Sequence, residues 1–328
     1  MTEKIMLFAL CSLLLASRFP AEAQQPKKVP RIGWLTTGFL SSTSARMEAL
    51  RQGLSELGYA EGKSILIEWR GADNIREQRS ALAEELVRLK VDVIVTAGSA
   101  STRAAKAATS TIPIVMASSD DPVGTGFVAS LARPGGNITG LSQLSLELNG
   151  KRLEILKEVI HKLSRVAVFE TSTSQDYAQT MKEIDLAAAA FGVKPQHLDV
   201  LTTKDIEPAF LAAVKGRADA VLEIISGPIR SAYLKELAEL AVKNRLPVMR
   251  ERPEHVEAGG LMSYGVNLLN LARRAAVYVD KILKGAKPAD LPVEQPIKFE
   301  FIINLKAAKQ IGLTIPPNVL ARADRVIK

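Results

Sequence analysis

The chain has 328 residues, and 43 lysine and arginine residues against 35 aspartate and glutamate residues give it a net charge of +8. Its hydrophobic fraction of 47% and charged fraction of 24% are those of an ordinary globular protein, which excludes disordered and collagen-like classes. One cysteine and three histidines exclude a disulfide scaffold and a cysteine-based metal cluster, and leave little material for a zinc site. The length predicts two domains.

The N-terminus has the pattern of an export signal. Ile5–Ser17 is an apolar run that is shorter than the stretch of about 20 residues a membrane-spanning helix needs. Pro20 then ends any helix, and Ala21-Glu22-Ala23 has the small-x-small pattern that signal peptidase recognises. Cys11 lies inside the apolar run rather than at its end, which does not fit a lipoprotein signal. We therefore predict a signal peptide over residues 1–23, cleaved after its last residue, and a periplasmic location.

Cleavage at this point leaves the charge of the protein unchanged. The deleted segment contains two basic and two acidic residues, so the mature chain keeps the charge of +8, but it loses the only cysteine. A cysteine-free chain suits an oxidising compartment and has no thiol nucleophile. The basic residues are scattered rather than clustered with aromatic residues, which argues against a nucleic-acid partner.

The first half of the mature chain alternates short apolar runs with helical patterns. Strands are predicted at 31–36, 65–69, 91–96 and 112–117. Helices are predicted at 45–57, 75–89 and 99–109, the first of them with N-cap candidates at 41–44. Continuous apolar strands separated by helices are typical of a parallel sheet that is covered on both faces.

The same alternation starts again in the second half. Helices are predicted at 146–163, 174–191, 205–214 and 229–244, and strands at 165–169, 193–200, 218–225 and 247–249. Between the two units lies Arg133–Gly140, which is rich in residues that favour turns and is predicted to be the boundary. If the strand ends of the two units face each other, the gap between them forms a cleft.

A search for catalytic and cofactor motifs is mostly negative. Gly58–Ser64 is one residue short of a P-loop and precedes a strand instead of following one, and Gly124–Ala129 fits the dinucleotide pattern only loosely. No Gly-x-Ser-x-Gly sequence is present. His161, His197 and His255 lack the spacing of a metal site, so surface or capping roles are predicted for them. The sequence therefore predicts no catalytic residue, cofactor or metal.

Small polar residues follow five of the predicted strands. In chain order they are Thr36, Thr37 and Gly38; Gly98 and Ser99 after Ala97; Ser118, Ser119, Asp120 and Asp121; Thr171 and Ser172; and Ser226 and Gly227. At the carboxyl ends of parallel strands, helix N-termini bind anions such as a ligand carboxylate, and an aspartate there can pair with an ammonium group. Helix capping is the alternative role for each residue. The recurrence in five loops favours a ligand site.

Several segments match blocks of one protein family in their order and spacing. They are Arg31–Leu35, Leu57–Lys63, Ala83–Val87, Val91–Val95, Thr111–Val115, Asp121–Gly124, Ser130–Gly140, Gly259–Gly265, Arg273–Gly285, Pro288–Pro292 and Ala321–Asp324. On these segments, which extend over essentially the whole chain, the protein resembles the ABC transporter substrate-binding proteins of the tryptophan/tyrosine-type branch.

This resemblance implies a type I periplasmic binding protein fold: an α/β architecture of two doubly wound, parallel-sheet lobes joined by a three-segment hinge. The N-terminal lobe would comprise residues 24–141 plus 265–297, and the C-terminal lobe residues 142–264 plus 298–328. The three crossings would lie near 141–146, 264–267 and 297–304. The helix at 268–283 would pack on the first lobe, and the C-terminal tail on the second.

Carried over residue by residue, the resemblance places the five polar loops in the cleft between the lobes. It adds Tyr177 in the second lobe and Tyr264 near the hinge. An aromatic ligand would require aromatic walls, and Phe39, Tyr177 and Tyr264 are the residues that could supply them. Within this site, Asp121 is the predicted partner of a ligand ammonium group.

The predicted function is that of an exported, non-enzymatic receptor that closes two lobes on a small ligand, either an amino acid or a related small carboxylate. Its partner would be the membrane permease of an ABC transporter, and we predict a monomer that binds no nucleic acid. Two alternatives stay open. One is a secreted enzyme on the same scaffold that acts on a nucleoside or sugar, with Asp120 and Asp121 as the candidate carboxylates; the other is the ligand-sensing module of a regulator.

Overall fold

The computed structural model describes residues 28–73, 75–144, 147–174, 177–225 and 233–328; the predicted signal peptide lies outside them. Within these ranges the strands are β1 (Arg31–Thr36), β2 (Leu66–Gly71), β3 (Val93–Ala97), β4 (Ile114–Ser118), β5 (Ile138–Gly140), β6 (Arg165–Glu170), β7 (Lys194–Asp199), β8 (Ala220–Glu223), β9 (Val248–Arg250), β10 (Met262–Val266), β11 (Phe299–Asn304) and β12 (Arg325–Ile327).

The described α-helices connect these strands. They are α1 (Leu40–Glu56), α2 (Arg76–Arg88), α3 (Ser99–Ala108), α4 (Glu147–Val159), α5 (Tyr177–Phe191), α6 (Ile206–Lys215), α7 (Leu234–Lys243), α8 (Glu254–Glu257), α9 (Leu268–Leu283), α10 (Leu305–Gln310) and α11 (Pro317–Leu320). Short 3₁₀ turns cover Thr203–Asp205 and Pro288–Asp290.

The strands form two separate sheets, one for each unit predicted from the sequence. The first sheet has the order β2-β1-β3-β4-β5 and is parallel throughout. The second has the order β12-β11-β10-β9-β8-β6-β7, and every pair in it is parallel except β10 with β11. The predicted fold class of two α/β lobes is confirmed, with this one antiparallel pair as a departure from fully parallel lobes.

Helices cover both faces of the first sheet. Apolar side chains from α1 and α9 pack on one face, against strand residues such as Ile32 and Trp34, and those from α2 and α3 pack on the other, against Leu35 and Ile94. A sheet buried on both faces requires continuous apolar strands, and all five residues of β3 are buried. This arrangement leaves the ends of the strands as the place for polar groups.

The second sheet is also covered on both faces. Apolar residues of α4, α5, α10 and α11 form one core with the sheet, and those of α6 and α7 form the other. Every residue of edge strand β7 is half-buried or exposed, and Pro195 within it removes a backbone donor. The second unit is therefore a three-layer α/β body like the first.

The chain passes between the two sheets three times. It leaves the first sheet after β5, returns after β10 to form α9, and leaves again before β11. Helix α9 packs on α1 of the first unit, where Tyr59 Oη donates to Asp280 Oδ1 at 2.9 Å. Because β10 leaves the second unit where β11 enters it, the two strands run in opposite directions. This explains the single antiparallel pair.

Two local predictions are wrong. Helix α1 begins at Leu40, so the N-cap candidates at 41–44 lie inside it; Thr43 Oγ1 instead donates to the Leu40 carbonyl at 3.2 Å, a bond that serine and threonine form within helices. The predicted boundary Arg133–Gly140 contains β5, an edge strand of the first sheet. β5 has only three residues in a glycine-rich segment, too short to show a strand pattern.

Of the three histidines, His161 is exposed, as predicted, whereas the prediction of a surface or capping role for His255 is wrong. His255 is fully buried, and neither ring nitrogen has a hydrogen-bond partner among the residues that the structure describes. Burial, followed by the nearby charge of Arg250, holds its pKa well below the usual value, so the imidazole is neutral. A Cβ on Gly260 would lie 2.0 Å from His255 Nε2, so the ring takes the space that this glycine leaves.

The packing of α9 on α1 generates a prediction about stability. A Cβ on Gly53 would lie 2.5 Å from the Arg273 carbonyl oxygen and 2.9 Å from Ala276 Cβ. Gly53→Ala should therefore lower the free energy of unfolding by about 1–3 kcal/mol, because a clash with backbone cannot be relieved by a rotamer change. The measurement is urea denaturation.

Gly150→Ala is the matched control, because Gly150 lies in helix α4 and its added Cβ would meet only Ala187 Cβ, at 3.6 Å. Alanine at this position should raise the free energy of unfolding by up to about 1 kcal/mol through helix propensity. Equal stabilisation of both variants would contradict the close approach of the two helices.

Candidate functional site

The carboxyl ends of the parallel strands in both sheets point towards the crossings between the sheets. β5 ends at Gly140, directly before the first crossing, and β10 ends at Val266, directly before the second. The parallel strands next to them run in the same directions. The loops that follow these strands therefore border the gap between the two sheets, which is where open parallel sheets bind ligands.

Hydrogen bonds join the crossing segments to one another. The Ser142 N–H donates to the Glu294 carbonyl at 2.9 Å, which links the first crossing to the segment leading to the third. Asn267 Nδ2 donates to Glu300 Oε2 at 3.3 Å, which links the second crossing to the third. Leu144 has a φ of +53°, which is uncommon for leucine. The crossings thus form one connected hinge.

A polar network lies at the cleft end of the first sheet. Ser99 Oγ donates to Asp120 Oδ2 at 2.9 Å and accepts from the Asp120 N–H at 3.1 Å. Gln143 Nε2, from the first crossing, donates to Asp120 Oδ1, and the Gln143 N–H donates to the Ser119 carbonyl at 2.8 Å. The structure therefore brings the predicted residues Ser99, Ser119 and Asp120 together and adds Gln143, which the sequence did not indicate.

Gly98 keeps the N-terminus of α3 open. Its φ of +102° is a left-handed value that glycine adopts readily, and a Cβ at this position would meet no atom within 4 Å. Gly98 is the N-cap residue of the ten-residue helix α3, which begins at Ser99, and it has no side chain that could cap the helix. The first N–H groups of such a helix favour negatively charged groups. This predicted loop is thus suited to a ligand carboxylate.

Asp121 is engaged in a different way from Asp120. Its Oδ1 accepts the Gly124 N–H at 2.8 Å, and its carbonyl accepts the Thr125 N–H at 3.0 Å. These bonds close a turn, which is the capping role that the sequence left open. Its predicted role as partner of a ligand ammonium group stays a prediction.

The loop after β1 contributes both polar and apolar groups. Thr36 is buried, its carbonyl accepts the Ala72 N–H at 3.1 Å, and Thr37 and Gly38 are half-buried. Phe39 is 52% exposed, and Ile75 and Val123, which follow β2 and β4, are 53% and 43% exposed. These three apolar side chains belong to loops at the same end of the sheet. They were not predicted as a group because their loops are far apart in the sequence.

In the second unit, the predicted hydroxyl residues bond to neighbouring loops. Thr171 Oγ1 donates to the Val200 carbonyl at 3.2 Å. Ser172 donates from its N–H to Asp199 Oδ1 at 2.9 Å and from its Oγ to Asp199 Oδ2 at 2.6 Å. These contacts bring the loops after β6 and β7 together. The predicted residues Ser226 and Gly227 lie outside the described residues.

Tyr177 belongs to a chain of titratable groups. Its hydroxyl donates to Glu170 Oε1 at 3.0 Å, and His197 Nδ1 lies 3.1 Å from Glu170 Oε2. His197 Nε2 lies 2.9 Å from Asp185 Oδ1. His197 is exposed at the surface, as predicted, and its ring in addition bridges two carboxylates. The hydrogen bond to Glu170 also raises the pKa of Tyr177.

Tyr264 lies on the hinge strand β10. Its ring packs on Phe299 and Phe301, with centroids 5.9 and 6.1 Å away, and burial raises the pKa of its hydroxyl. Its carbonyl accepts from Nε of the buried Arg152 at 2.8 Å. The structure thus places Tyr264 at the hinge, in an aromatic cluster that the sequence did not indicate.

Two buried charges lie at strand ends of the second sheet and were missed. Glu223 ends β8 and pairs with Arg250, which ends β9; they are 1% and 3% exposed. Glu223 Oε1 also accepts the Ile225 N–H at 2.9 Å and the Tyr233 hydroxyl at 3.2 Å. Burial lowers the pKa of Arg250 to about 10, so it stays protonated at neutral pH. The sequence signal that could have identified both residues is a charged side chain at the end of an apolar strand.

Other kinds of site can be checked over the same ranges. Among the described residues, no three His, Cys, Asp or Glu side chains are grouped so that they could hold a metal ion. Every helix within the described ranges is too short or too polar to cross a membrane.

Two α/β lobes, a three-segment hinge and polar loops that border the gap define a two-lobed binding protein. Residues 40–327 match the model of the family described as ABC transporter substrate binding protein. The chain therefore belongs to this family, whose members bind small ligands and work with ABC permeases. The family predicted from sequence segments is confirmed.

Three known proteins illustrate the similarity. A tyrosine-binding protein of Clostridioides difficile (strain R20291) is 26% identical over 261 residues, which cover 79% of this chain and 74% of the relative. A crystal structure of a conserved domain protein from Vibrio cholerae is 28% identical, with a TM-score of 0.84, covering 91% of this chain and 100% of that one. The ABC domain from Streptococcus pneumoniae in complex with L-Trp is 25% identical, with a TM-score of 0.82, covering 91% of this chain and 99% of that one.

Proposed function

We propose that this substrate-binding protein captures an amino acid in the gap between its two lobes and delivers it to the permease of an ABC importer. The observation that carries the proposal is the network of Ser99, Asp120 and Gln143 beside the open N-terminus of α3. Support comes from the relatives, since one is named a tyrosine-binding protein and another was solved in complex with L-Trp.

The network matches the two charged groups of an amino acid. The Asp120 carboxylate is half-buried and can accept from a ligand ammonium group, a charge-assisted bond. The first N–H groups of α3 and the Ser99 hydroxyl can donate to a ligand carboxylate. A zwitterion needs an acceptor and a set of donors at close range, and this loop offers both.

The side chain of the ligand would contact apolar groups. Phe39, Ile75 and Val123 offer exposed apolar surface on the first lobe, and Tyr177 and Tyr264 offer aromatic rings on the second lobe and the hinge. Burial of apolar ligand surface against such groups contributes roughly 25 cal/mol per Å². This arrangement favours a large apolar or aromatic amino acid over a small or charged one.

Binding would be coupled to closure of the lobes. We assign residues 24–141 plus 265–297 to the first lobe and 142–264 plus 298–328 to the second, a division supported by the membership of the two sheets. Gln143 belongs to the first crossing and donates to Asp120. The residue that holds the ligand ammonium group thus contacts the hinge, so ligand binding can shift the population of open and closed forms. The closed monomer would then dock on the permease.

The proposed location is the periplasm, after cleavage of a signal peptide. The pattern at Ile5–Ala23 supports this proposal. Expression of the full chain in a Gram-negative host should yield a periplasmic protein whose N-terminal residue, by mass spectrometry of the N-terminal peptide, is Gln24 or its pyroglutamate form. An uncleaved chain that starts at Met1 in the cytoplasmic fraction would contradict the proposal.

The ligand class can be tested with the purified chain from residue 24 onwards. Thermal-shift measurements against the twenty amino acids, sugars and nucleosides should show stabilisation by L-tyrosine, L-tryptophan or another large apolar amino acid, because ligand binding to the native state raises its stability. Each hit is then compared with its analogue without the amino group. Stabilisation by sugars or nucleosides alone would contradict the proposed ligand class.

Asp120→Asn and Asp121→Asn form a matched pair. Asp120→Asn should weaken binding of the amino acid hit about tenfold to a hundredfold in isothermal titration calorimetry, since a hydrogen bond to a charged group contributes about 1.5–3 kcal/mol. Asp121→Asn should leave the affinity nearly unchanged, because its carboxylate caps a turn. The reverse ranking would restore Asp121 as the ammonium partner.

A further inference from the structure

One cluster in the second lobe reaches the proposed ligand site only through Tyr177. The His197 imidazole, on edge strand β7, lies between Glu170, the last residue of β6, and Asp185 on α5, at 3.1 and 2.9 Å. The other oxygen of Glu170 accepts the Tyr177 hydroxyl at 3.0 Å. We propose that His197 is a positioning residue for the ligand site: by bridging Glu170 and Asp185 it fixes the carboxylate that holds Tyr177.

The burial of Glu170 makes its partners important. Glu170 is 2% exposed, and a carboxylate at that depth is stable only when its oxygens accept hydrogen bonds or face a positive charge. The Tyr177 hydroxyl supplies one bond and His197 the other. If His197 stops donating, the Glu170 carboxylate must turn towards a new partner. The Tyr177 hydroxyl, which donates to this carboxylate, then moves with it.

The same ring also holds the helix that carries Tyr177. Tyr177 is the first residue of α5, and Asp185 lies about two turns further along this helix. Asp185 is mostly exposed, so its contact with His197 is a tether on the outer side of the helix. The bridge therefore fixes the first turns of α5 to the end of β6 through two separate carboxylates.

Only the protonated ring can complete this bridge. An imidazolium donates from both nitrogens, whereas a neutral imidazole has one N–H and one lone pair. In the neutral form one of the two carboxylates would face that lone pair and lose its bond. The bridge is therefore complete only when His197 carries a proton.

The surroundings favour the proton. Burial lowers the pKa of His197, but the hydrogen bonds and charges of Asp185 and Glu170 outweigh it, so the pKa is raised above the ordinary value of 6.5. The titratable groups of the cluster are Glu170 from β6, Asp185 and Tyr177 from α5, and Asp199 from β7 itself. Because the folded-state pKa is raised, the bridge is fully present below about pH 6.5 and is lost as the pH rises through the raised pKa.

The inference rests on the proposed function in one respect, namely that Tyr177 contacts the ligand. If it does, the affinity for an aromatic amino acid should fall about threefold to tenfold as His197 loses its proton, which corresponds to the loss of one ordinary hydrogen bond. The positioning itself can be tested without any ligand.

The ligand-free test is an NMR titration between pH 5.5 and 9 with ring-labelled histidine and tyrosine. The chain has five tyrosines, so Tyr177→Phe identifies the Tyr177 signal. That signal should change with the same midpoint as the His197 ring, and the change should vanish in His197→Gln. His161→Gln, which removes an exposed histidine, should leave it unaltered. A Tyr177 signal that does not follow the His197 titration overturns the proposal.

The ligand test is calorimetry with L-tryptophan and L-tyrosine across the same pH range. His197→Gln should flatten the pH profile of the affinity. Asp185→Asn should move the midpoint of this profile to lower pH, because the carboxylate charge that raises the pKa of His197 is removed. Circular dichroism verifies that each variant is folded. A profile that is the same in the wild type and His197→Gln overturns the role in ligand binding.

If neither of these nor any other large apolar amino acid binds at any pH, the proposed ligand class is wrong. The NMR titration still decides whether His197 positions Tyr177, so the two failures are distinguishable.

Discussion

The direction of the strands is the constraint on which the rest of this structure depends. In the first sheet every strand runs the same way, and in the second only β11 and its neighbour β12 run opposite to the others. Parallel strands collect their carboxyl-end loops at one edge of a sheet, together with the N-termini of the following helices. The three crossings set these two edges facing each other. The polar loops thereby border one gap, although they come from segments far apart in the chain.

This geometry also explains why charges are buried in the second lobe. Helices cover both faces of the sheet, so a charged residue that ends a strand has little access to water, as Glu170 and Glu223 show at 2% and 1% exposure. An isolated buried charge is costly, and each of these carboxylates has partners from neighbouring elements. Glu223 pairs with Arg250 and accepts from the Tyr233 hydroxyl. Glu170 contacts His197 and accepts from the Tyr177 hydroxyl. Each pairing fixes the end of one strand relative to a neighbouring strand and to a side chain beyond it.

Comparison of the predicted and observed elements shows which features depend on local pattern. The apolar runs of β1, β3, β4 and β6 and the helical spacing of α2 and α3 agree with the structure within about two residues. β5 escaped prediction because three residues in a glycine-rich segment carry no period. The start of α1 was misplaced because Thr43 bonds within the helix instead of capping it.

The residues of the candidate site also differ in whether a local sequence pattern indicates them. Ser99 and Asp120 were predicted from their position after strands, and the structure joins them. Gln143 could not be predicted, since its partner lies 23 residues away and belongs to the other side of a crossing. The carboxylate partners of His197 could not be predicted for a similar reason: they lie 27 and 12 residues away, on a neighbouring strand and a helix. Asp121, by contrast, has its partners within four residues, and the alternative of a turn cap was visible in advance.

The sequence by itself determined the alternation of strands and helices, the number of α/β units and the residue types at the strand ends, because these depend on the local periods of apolar side chains. Segment order and spacing also identified the family. Only the tertiary structure decided which strand ends meet, which of two adjacent aspartates bonds to the hinge segment, and which histidine stands between carboxylates. Those outcomes depend on strand order and on the return of α9 and β11 between the lobes. Both arise from contacts between residues distant in sequence, which no local period records.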